Sequence, residues 1–262
     1  MKIRYAIALA ALMLVASAAA SAQGHMHRPN MRPQHPAVKG FGLEFGYVHS
    51  SYRTRDWETE ESTRSGGLDG FVLGVTKDFM LVPRTLYFQT GLNYLYQNDH
   101  RKDDSRNRPA LVTRMVGDRT EHYLDIPVKL KYTYPLTYNI GLAADVGPTM
   151  LFGLSSKMDY KAKTSFGTAS VSYNYYNAKT KVSDGVETID FGSWMAANGM
   201  LPEGKLRRFD VMLGASLGAD FFEILEVRIG YDWGLVNRYK GAVSEDLKMK
   251  RGQFTLSAGV RF

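Results

Sequence analysis

From Gly40 onward, apolar residues return at every second position. Phe41, Leu43, Phe45 and Tyr47 alternate with Gly42, Glu44 and Gly46; Phe71, Leu73 and Val75 alternate with Gly70, Val72, Gly74 and Thr76. The same beat runs through Leu86–Tyr96, Leu124–Tyr134, Tyr138–Gly153, Arg208–Phe221, Leu225–Gly234 and Gln253–Phe262. A period of two marks extended chain with one apolar face, so the pattern predicts eight β-strands and an all-β fold.

A soluble sandwich and a membrane barrel both alternate in this way. The make-up of the second face separates them. Here it is Gly with single charges rather than a uniform Lys, Thr and Ser surface, which suits the interior of a narrow barrel where Gly leaves room and charges pair across the lumen. The apolar rows also begin or end in Tyr, Trp or Phe, as interfacial girdles require. The connections then alternate in length. Long ones fall at about 50–69, 97–120, 155–206 and 238–251, and short ones at about 79–85, 135–137 and 222–224. Short periplasmic turns alternating with long extracellular loops are the layout of an outer-membrane barrel with both ends in the periplasm. The expected fold is therefore an eight-stranded antiparallel transmembrane β-barrel over residues 40–262.

The start of the chain reads differently. Lys2 and Arg4 precede an uncharged apolar stretch, Ala6 to Ala16, and Ala20-Ser21-Ala22 is a small-x-small cleavage site. Residues 1–22 are thus expected to be a cleaved signal peptide that exports the protein to the outer membrane of a Gram-negative cell. Residues 23–39, rich in Pro, His and Arg and without apolar rhythm, are expected to be a flexible periplasmic lead-in. The sequence has no Cys, which removes disulfides, thiolate metal sites, Cys nucleophiles and lipoprotein anchoring. The net charge of +7 is scattered without a block of like charges, so it names no nucleic-acid partner.

Two stretches carry a resemblance. Tyr123-Leu124-Asp125-Ile126-Pro127-Val128-Lys129-Leu130-Lys131-Tyr132 resembles a strand of the PorT-like outer-membrane β-barrel family of Bacteroidetes, and Gly252–Phe262 is similar to the last strand of outer-membrane barrels generally, with its terminal Phe. The resemblance covers residues 40–262 as architecture and implies no particular activity; some relatives serve a protein-secretion system.

Four constellations carry chemistry. Glu44, Asp125, Asp145, Asp210, Glu226 and Asp232 share the inward face with Lys129, Lys131, Arg208, Arg228 and Arg261. A near-neutral set inside eight strands predicts a salt-bridged plug rather than a selective pore, which would want a ring of one sign. His49, His100 and His122 fall near extracellular strand ends, where a base could activate Ser50, Ser51 or a water with Asp99 or Asp125 orienting it. Cleavage after Ala22 would expose Gln23-Gly24-His25, an amine-x-His arrangement suited to Cu(II) or Ni(II), with Met26, His27, Met31 and His35 nearby; a plain tail, or cyclisation of Gln23, is the alternative. Tyr160, Tyr173, Tyr175, Tyr176 and Trp194 in the long loop 155–206 are aromatic anchors of the kind binding surfaces use, and Lys157–Tyr176 alternates enough to extend the strands as a hairpin above the membrane.

No hydrolase, metalloprotease, phosphate-loop or dinucleotide motif is present. No catalytic, cofactor-binding or metal residue is assigned. The expected role is non-enzymatic: an envelope structural or binding protein acting through extracellular loops, or an accessory of a secretion or assembly complex. A rim enzyme acting on lipid or peptide and a small-solute channel are the alternatives. The expected partners are outer-membrane lipids and lipopolysaccharide, the outer-membrane assembly machinery and a protein bound by the loops, with no nucleic acid.

Overall fold

The computed structural model describes residues 40–56, 62–83, 85–101, 112–137, 139–164, 167–184, 205–222, 224–241 and 243–262. The signal segment 1–22, the lead-in 23–39 with its chelating motif, Tyr138 and Trp194 lie outside these residues, as does the side chain of His100.

Eight long strands close into a ring. β1 (Phe41–Asp56), β2 (Ser62–Val82), β3 (Leu86–Arg101), β4 (Val112–Pro135) and β5 (Ile140–Thr164) pair in chain order. β6 (Gly167–Asn174), β7 (Lys179–Asp184) and the two-residue β8 (Lys205–Leu206) follow. β9 (Phe209–Phe221) then pairs with the lower part of β5, β10 (Leu225–Gly234) with β9, and β12 (Leu247–Arg261) with β10. β12 also pairs with β1 from Gly42↔Arg261 to Asp56↔Leu247, which closes the barrel. Every pairing is antiparallel. Between β10 and β12, β11 (Tyr239–Lys240) pairs with β8, and a one-turn helix α1 (Val243–Asp246) leads into β12.

The expected faces hold. Leu43, Leu73, Leu92, Leu130, Leu142, Leu217, Ile229 and Leu256 are exposed on the outside. A belt of that size would not persist in water and is the surface that lipid solvates. Among the described residues no helix is long and apolar enough to cross a membrane. Aromatic rings ride at the upper edge of the belt, with Phe71 5.4 Å from Tyr96 and Tyr231 4.8 Å from Trp233. On the inside, Gly makes space as the sequence suggested. A Cβ at Gly74 would collide with the Asn93 side chain, and one at Gly214 with Asp232 and Lys129.

The turns at the lower end are tight. Thr85 N–H reaches Val82 O at 3.2 Å and Ile224 N–H reaches Phe221 O at 3.1 Å, with Phe222 turning through the left-handed region at φ 54°. The upper connections need a correction. β4 runs for 24 residues and β5 for 25, whereas a tilted crossing takes about 9–11 residues. Much of the expected loops 50–69, 97–120 and 155–206 is therefore continuous strand standing above the membrane. Hydrogen bonding explains it. A strand leaving the bilayer keeps its ladder as long as its neighbour rises with it, and β5 does so with β4 on one side and β6 on the other.

Candidate functional site

The lumen is filled in storeys. At the bottom, Glu226 accepts from Lys131 Nζ at 2.8 Å, from Arg228 Nη2 at 2.8 Å and from Arg261. Asp78 accepts from Gln89 Nε2 at 2.7 Å and pairs with Arg261, while Arg228 Nη1 donates to Gln89 Oε1 at 2.8 Å. Above this, Lys129 Nζ and Thr149 Oγ1 both donate to Asp232 Oδ1, at 2.8 and 3.1 Å, and Ser216 donates to Asp145. Glu44, Asn93 and Asp125 join them around a cavity of about 60 Å³, room for a few water molecules. Val48, Val72, Leu95, Tyr123, Leu151 and Met212 form an apolar layer over that cavity.

The next storey centres on Glu121. Its carboxylate accepts from Arg119 Nη2 at 2.7 Å, Tyr52 OH at 2.5 Å, Tyr123 OH at 2.6 Å and Ser156 Oγ at 3.0 Å. The Tyr52 ring lies between two guanidinium groups, 4.7 Å from Arg119 and 4.8 Å from Arg238. Arg251 stacks 4.5 Å over Tyr123 and donates to Ser50 Oγ at 3.1 Å. Tyr52, Leu68, Met158, Tyr173, Tyr175, Leu206 and Met249 then roof the barrel. Charge pairs, an apolar layer and a roof follow one another along the axis, so the lumen is plugged.

Of the inward charges expected from alternation, all but one are in place. Arg208 is exposed instead, its guanidinium 4.9 Å over the Tyr176 ring, because β9 begins only at Phe209. Asp78, Arg119, Glu121, Arg238 and Arg251 were missed. Arg119, Arg238 and Arg251 fall within stretches read as loops and Asp78 and Glu121 directly beside such stretches, yet Arg119, Glu121, Tyr123 and Asp125 share one parity, and that continued rhythm was the available signal.

The histidines do not converge. His49 and His122 lie on β1 and β4 and face outward, with β2 and β3 between them. His49 Nδ1 is 2.8 Å from Asp69 Oδ1, to which Tyr47 also donates, and His122 Nδ1 is 2.6 Å from Tyr94 OH. Ser50 points into the lumen, held by Gln97 Nε2 at 2.8 Å, and Asp125 lines the cavity. Neither can form a relay with a histidine on the opposite face of the wall. These imidazoles belong to the aromatic girdle.

The expected aromatic anchors are also reassigned. Tyr173 and Tyr175 are buried, edge to face at 5.3 Å, and serve as roof. Burial pushes the Tyr176 phenol up to about 12, which keeps it neutral. The face of β5, β6 and β7 that turns away from the roof is polar. It exposes Lys157, Lys161, Lys179 and Lys181, with Asp159, Ser170 and Ser172 between them. Beside it runs a groove of about 710 Å³ bounded by Tyr96, Asn98, Asp118 and Thr120 on one side and Lys161, Ser172 and Lys181 on the other.

The family comparison agrees with this architecture. The sequence profile described as "Outer membrane protein beta-barrel domain" matches residues 33–240. Among curated proteins none matches the sequence. Among solved structures, Ail, the attachment invasion locus protein of Yersinia pestis, in complex with the heparin analogue sucrose octasulfate, aligns at 12% identity and a TM-score of 0.38, over 86% of this chain and 99% of that one. Neisserial surface protein A aligns at 9% identity and 0.38, over 85% and 97%. The translocator domain of the autotransporter NalP from Neisseria meningitidis aligns at 12% and 0.30, over 98% of each chain.

Proposed function

The chain belongs to the outer membrane protein beta-barrel domain family, and from that premise we propose that it is a non-enzymatic envelope protein that binds through the sheet β5–β6–β7. The observation that carries this reading is that the sheet stands above the bilayer as an ordered element with an apolar underside and a polar outer face. Tyr173 and Tyr175 seat the underside on the barrel roof, so the face bearing Lys157, Lys161, Lys179 and Lys181 is held in place rather than left to a mobile loop. A preorganised surface binds with less loss of entropy. The plugged lumen disfavours a channel, and the divergent histidines disfavour rim catalysis.

The finer kinship with PorT-like barrels rests on the segment Tyr123–Tyr132. Physically the motif splits by parity: Leu124, Ile126, Val128, Leu130 and Tyr132 line the lipid side, while Tyr123, Asp125, Lys129 and Lys131 fill the lumen. Pro127, which has no N–H to donate, sits where the β3–β4 ladder is interrupted between Thr90↔Val128 and Asn93↔Asp125. A part in a secretion or assembly complex is the form of this function that the kinship favours.

The test compares proteoliposomes carrying wild type, the double variant Lys161→Ser/Lys181→Ser, and the single variants His49→Ala and His122→Ala. Capture of surface partners is expected to fall in the double variant and to persist in both histidine variants. Loss of a lipid or peptide modification in either histidine variant, with the barrel intact, would overturn the non-enzymatic reading.

A further inference from the structure

We propose that the mid-lumen cavity is a binding site for one small monovalent cation, held by Asp125 and Asn93 beneath the apolar layer. This inference rests on the lumen and not on partner capture by β5–β7, so either can fail alone.

The charges around the cavity do not balance. Glu44, Asp125, Asp145 and Asp232 line it against Lys129 and Arg228. Lys129 is committed to Asp232 at 2.8 Å. Arg228 is committed to Glu226 at 2.8 Å and lies 3.7 Å from Asp145. Among the described residues, no cation lies within ion-pair distance of Glu44 or Asp125. A buried carboxylate without a counter-charge is strongly destabilising, so this storey calls for a positive charge of its own.

Hydrogen bonding points to the same place. Asn93 is 6% exposed and Asp125 7%. Among the described residues no donor reaches Asn93 Oδ1 or Asp125 Oδ1. Glu44 on β1, Gly74 on β2, Asn93 on β3 and Asp125 on β4 stand in one cross-strand row. A Cβ at Gly74 would collide with Asn93 Oδ1, so the glycine is what lets that oxygen lean over β2. Two acceptors without donors, with the Glu44 carboxylate in the same row, are oxygen ligands for a hard cation.

The ligand set also selects the class of ion. A divalent ion wants several carboxylates gathered on it, and among the described residues no group of three carboxylates or imidazoles is placed to chelate one. A monovalent ion asks less, since amide and carboxylate oxygens with water replace its hydration shell. The cavity of about 60 Å³ has room for the ion and its waters. Glu44 also lines a smaller pocket of about 10 Å³ with Gly42, Thr76, Glu226 and Arg261, toward the lower, turn-bearing end of the barrel. Val48, Val72, Leu95, Tyr123, Leu151 and Met212 close the other side. The ion therefore enters from the lower end and goes no further, and the lumen stays plugged.

The experiment follows urea unfolding of the full-length barrel in neutral detergent micelles by heat-shifted gel mobility. N-methyl-D-glucamine chloride is replaced stepwise by sodium or potassium chloride at constant ionic strength and pH. The organic cation is too bulky for the cavity and serves as the blank. Wild type is expected to gain a urea midpoint that rises with the alkali ion. Above half-saturation, each tenfold step in the ion should raise the folded-to-unfolded ratio about tenfold, the linkage of one bound cation. Asp125→Asn is expected to lose that dependence and to be more stable than wild type in the organic salt alone, a gain that a damaged fold would not show. Glu44→Gln should keep the dependence at a several-fold higher ion concentration, and it carries the test if Asp125→Asn does not fold. In crystals soaked in rubidium chloride, an anomalous peak beside Asp125 and Asn93 is expected. Equal wild-type midpoints in the organic and alkali salts would give the place to a proton or to water and overturn the proposal. An alkali response undiminished in whichever variants fold would overturn it too, by assigning the effect to the surface.

Discussion

Glu121 shows what a single buried charge does in this lumen. It is fully buried and receives hydrogen bonds from Arg119, Ser156 and two tyrosines, with Arg238 3.6 Å away. Removing one member of a buried ionic group leaves its partners charged and unpaired, a loss of about 3–5 kcal/mol. Glu121→Ala should lower the unfolding free energy of the detergent-folded barrel by that much, seen as a lower urea midpoint, and Glu121→Gln by less, since the amide oxygen still accepts. Gel mobility across a urea series measures both. The residue was hidden in the sequence because it sits next to a stretch that reads as loop. The lower network was legible, since Lys129, Lys131, Glu226, Arg228 and Arg261 lie in strands whose alternation is unbroken. Partner choice was not legible. Parity says that Lys131 points inward, but only the closed ring says that it meets Glu226 from across the barrel.

At the scale of the element, β12 is the most exacting strand. Phe254, Leu256, Ala258, Val260 and Phe262 form its lipid-facing row, and Leu256 is openly exposed there. Leu256→Arg should cost about 2–4 kcal/mol near mid-bilayer and reduce the heat-resistant, membrane-inserted fraction on gels. Normal insertion would show that the row is misphased. The eight crossings were legible because lipid and lumen impose opposite demands on alternate residues. The upper ends of the strands were not, because above the membrane both faces can be mixed and the apolar beat weakens although the hydrogen-bond ladder continues. The hairpin formed by upper β5 and β6 was expected from Lys157–Tyr176, but β7 and the role of the tyrosines were not. Trimming 155–206 as one block would strip Tyr173, Tyr175 and Leu206 from the roof and uncover Tyr52, Leu68 and Met249. For that reason the face of the hairpin is better probed by surface substitutions than by deletion.

For the whole molecule, the storeys of the lumen decide permeability. Ions would have to cross a charge-paired layer, an apolar layer and a roof in series, so purified barrel in a planar bilayer should show no sustained conductance. A steady open channel would contradict the plug. Because closure leaves no open strand edge within the ring, the unheated protein should also migrate differently from the boiled protein, with a circular dichroism spectrum dominated by β signal.

The pairing of β1 with β12 has a kinetic consequence. The seam joins the first and last strands, with Phe41 and Phe262 exchanging backbone hydrogen bonds at its lower end. It is the contact of greatest sequence separation in the barrel, and the search for it carries the largest loop-closure entropy. Until it forms, β1 and β12 each present a bare edge to any other chain nearby. The interval between synthesis of β1 and arrival of β12 is thus the period of greatest aggregation hazard, and the final zipping step, rather than the finished barrel's stability, sets how much protein survives it.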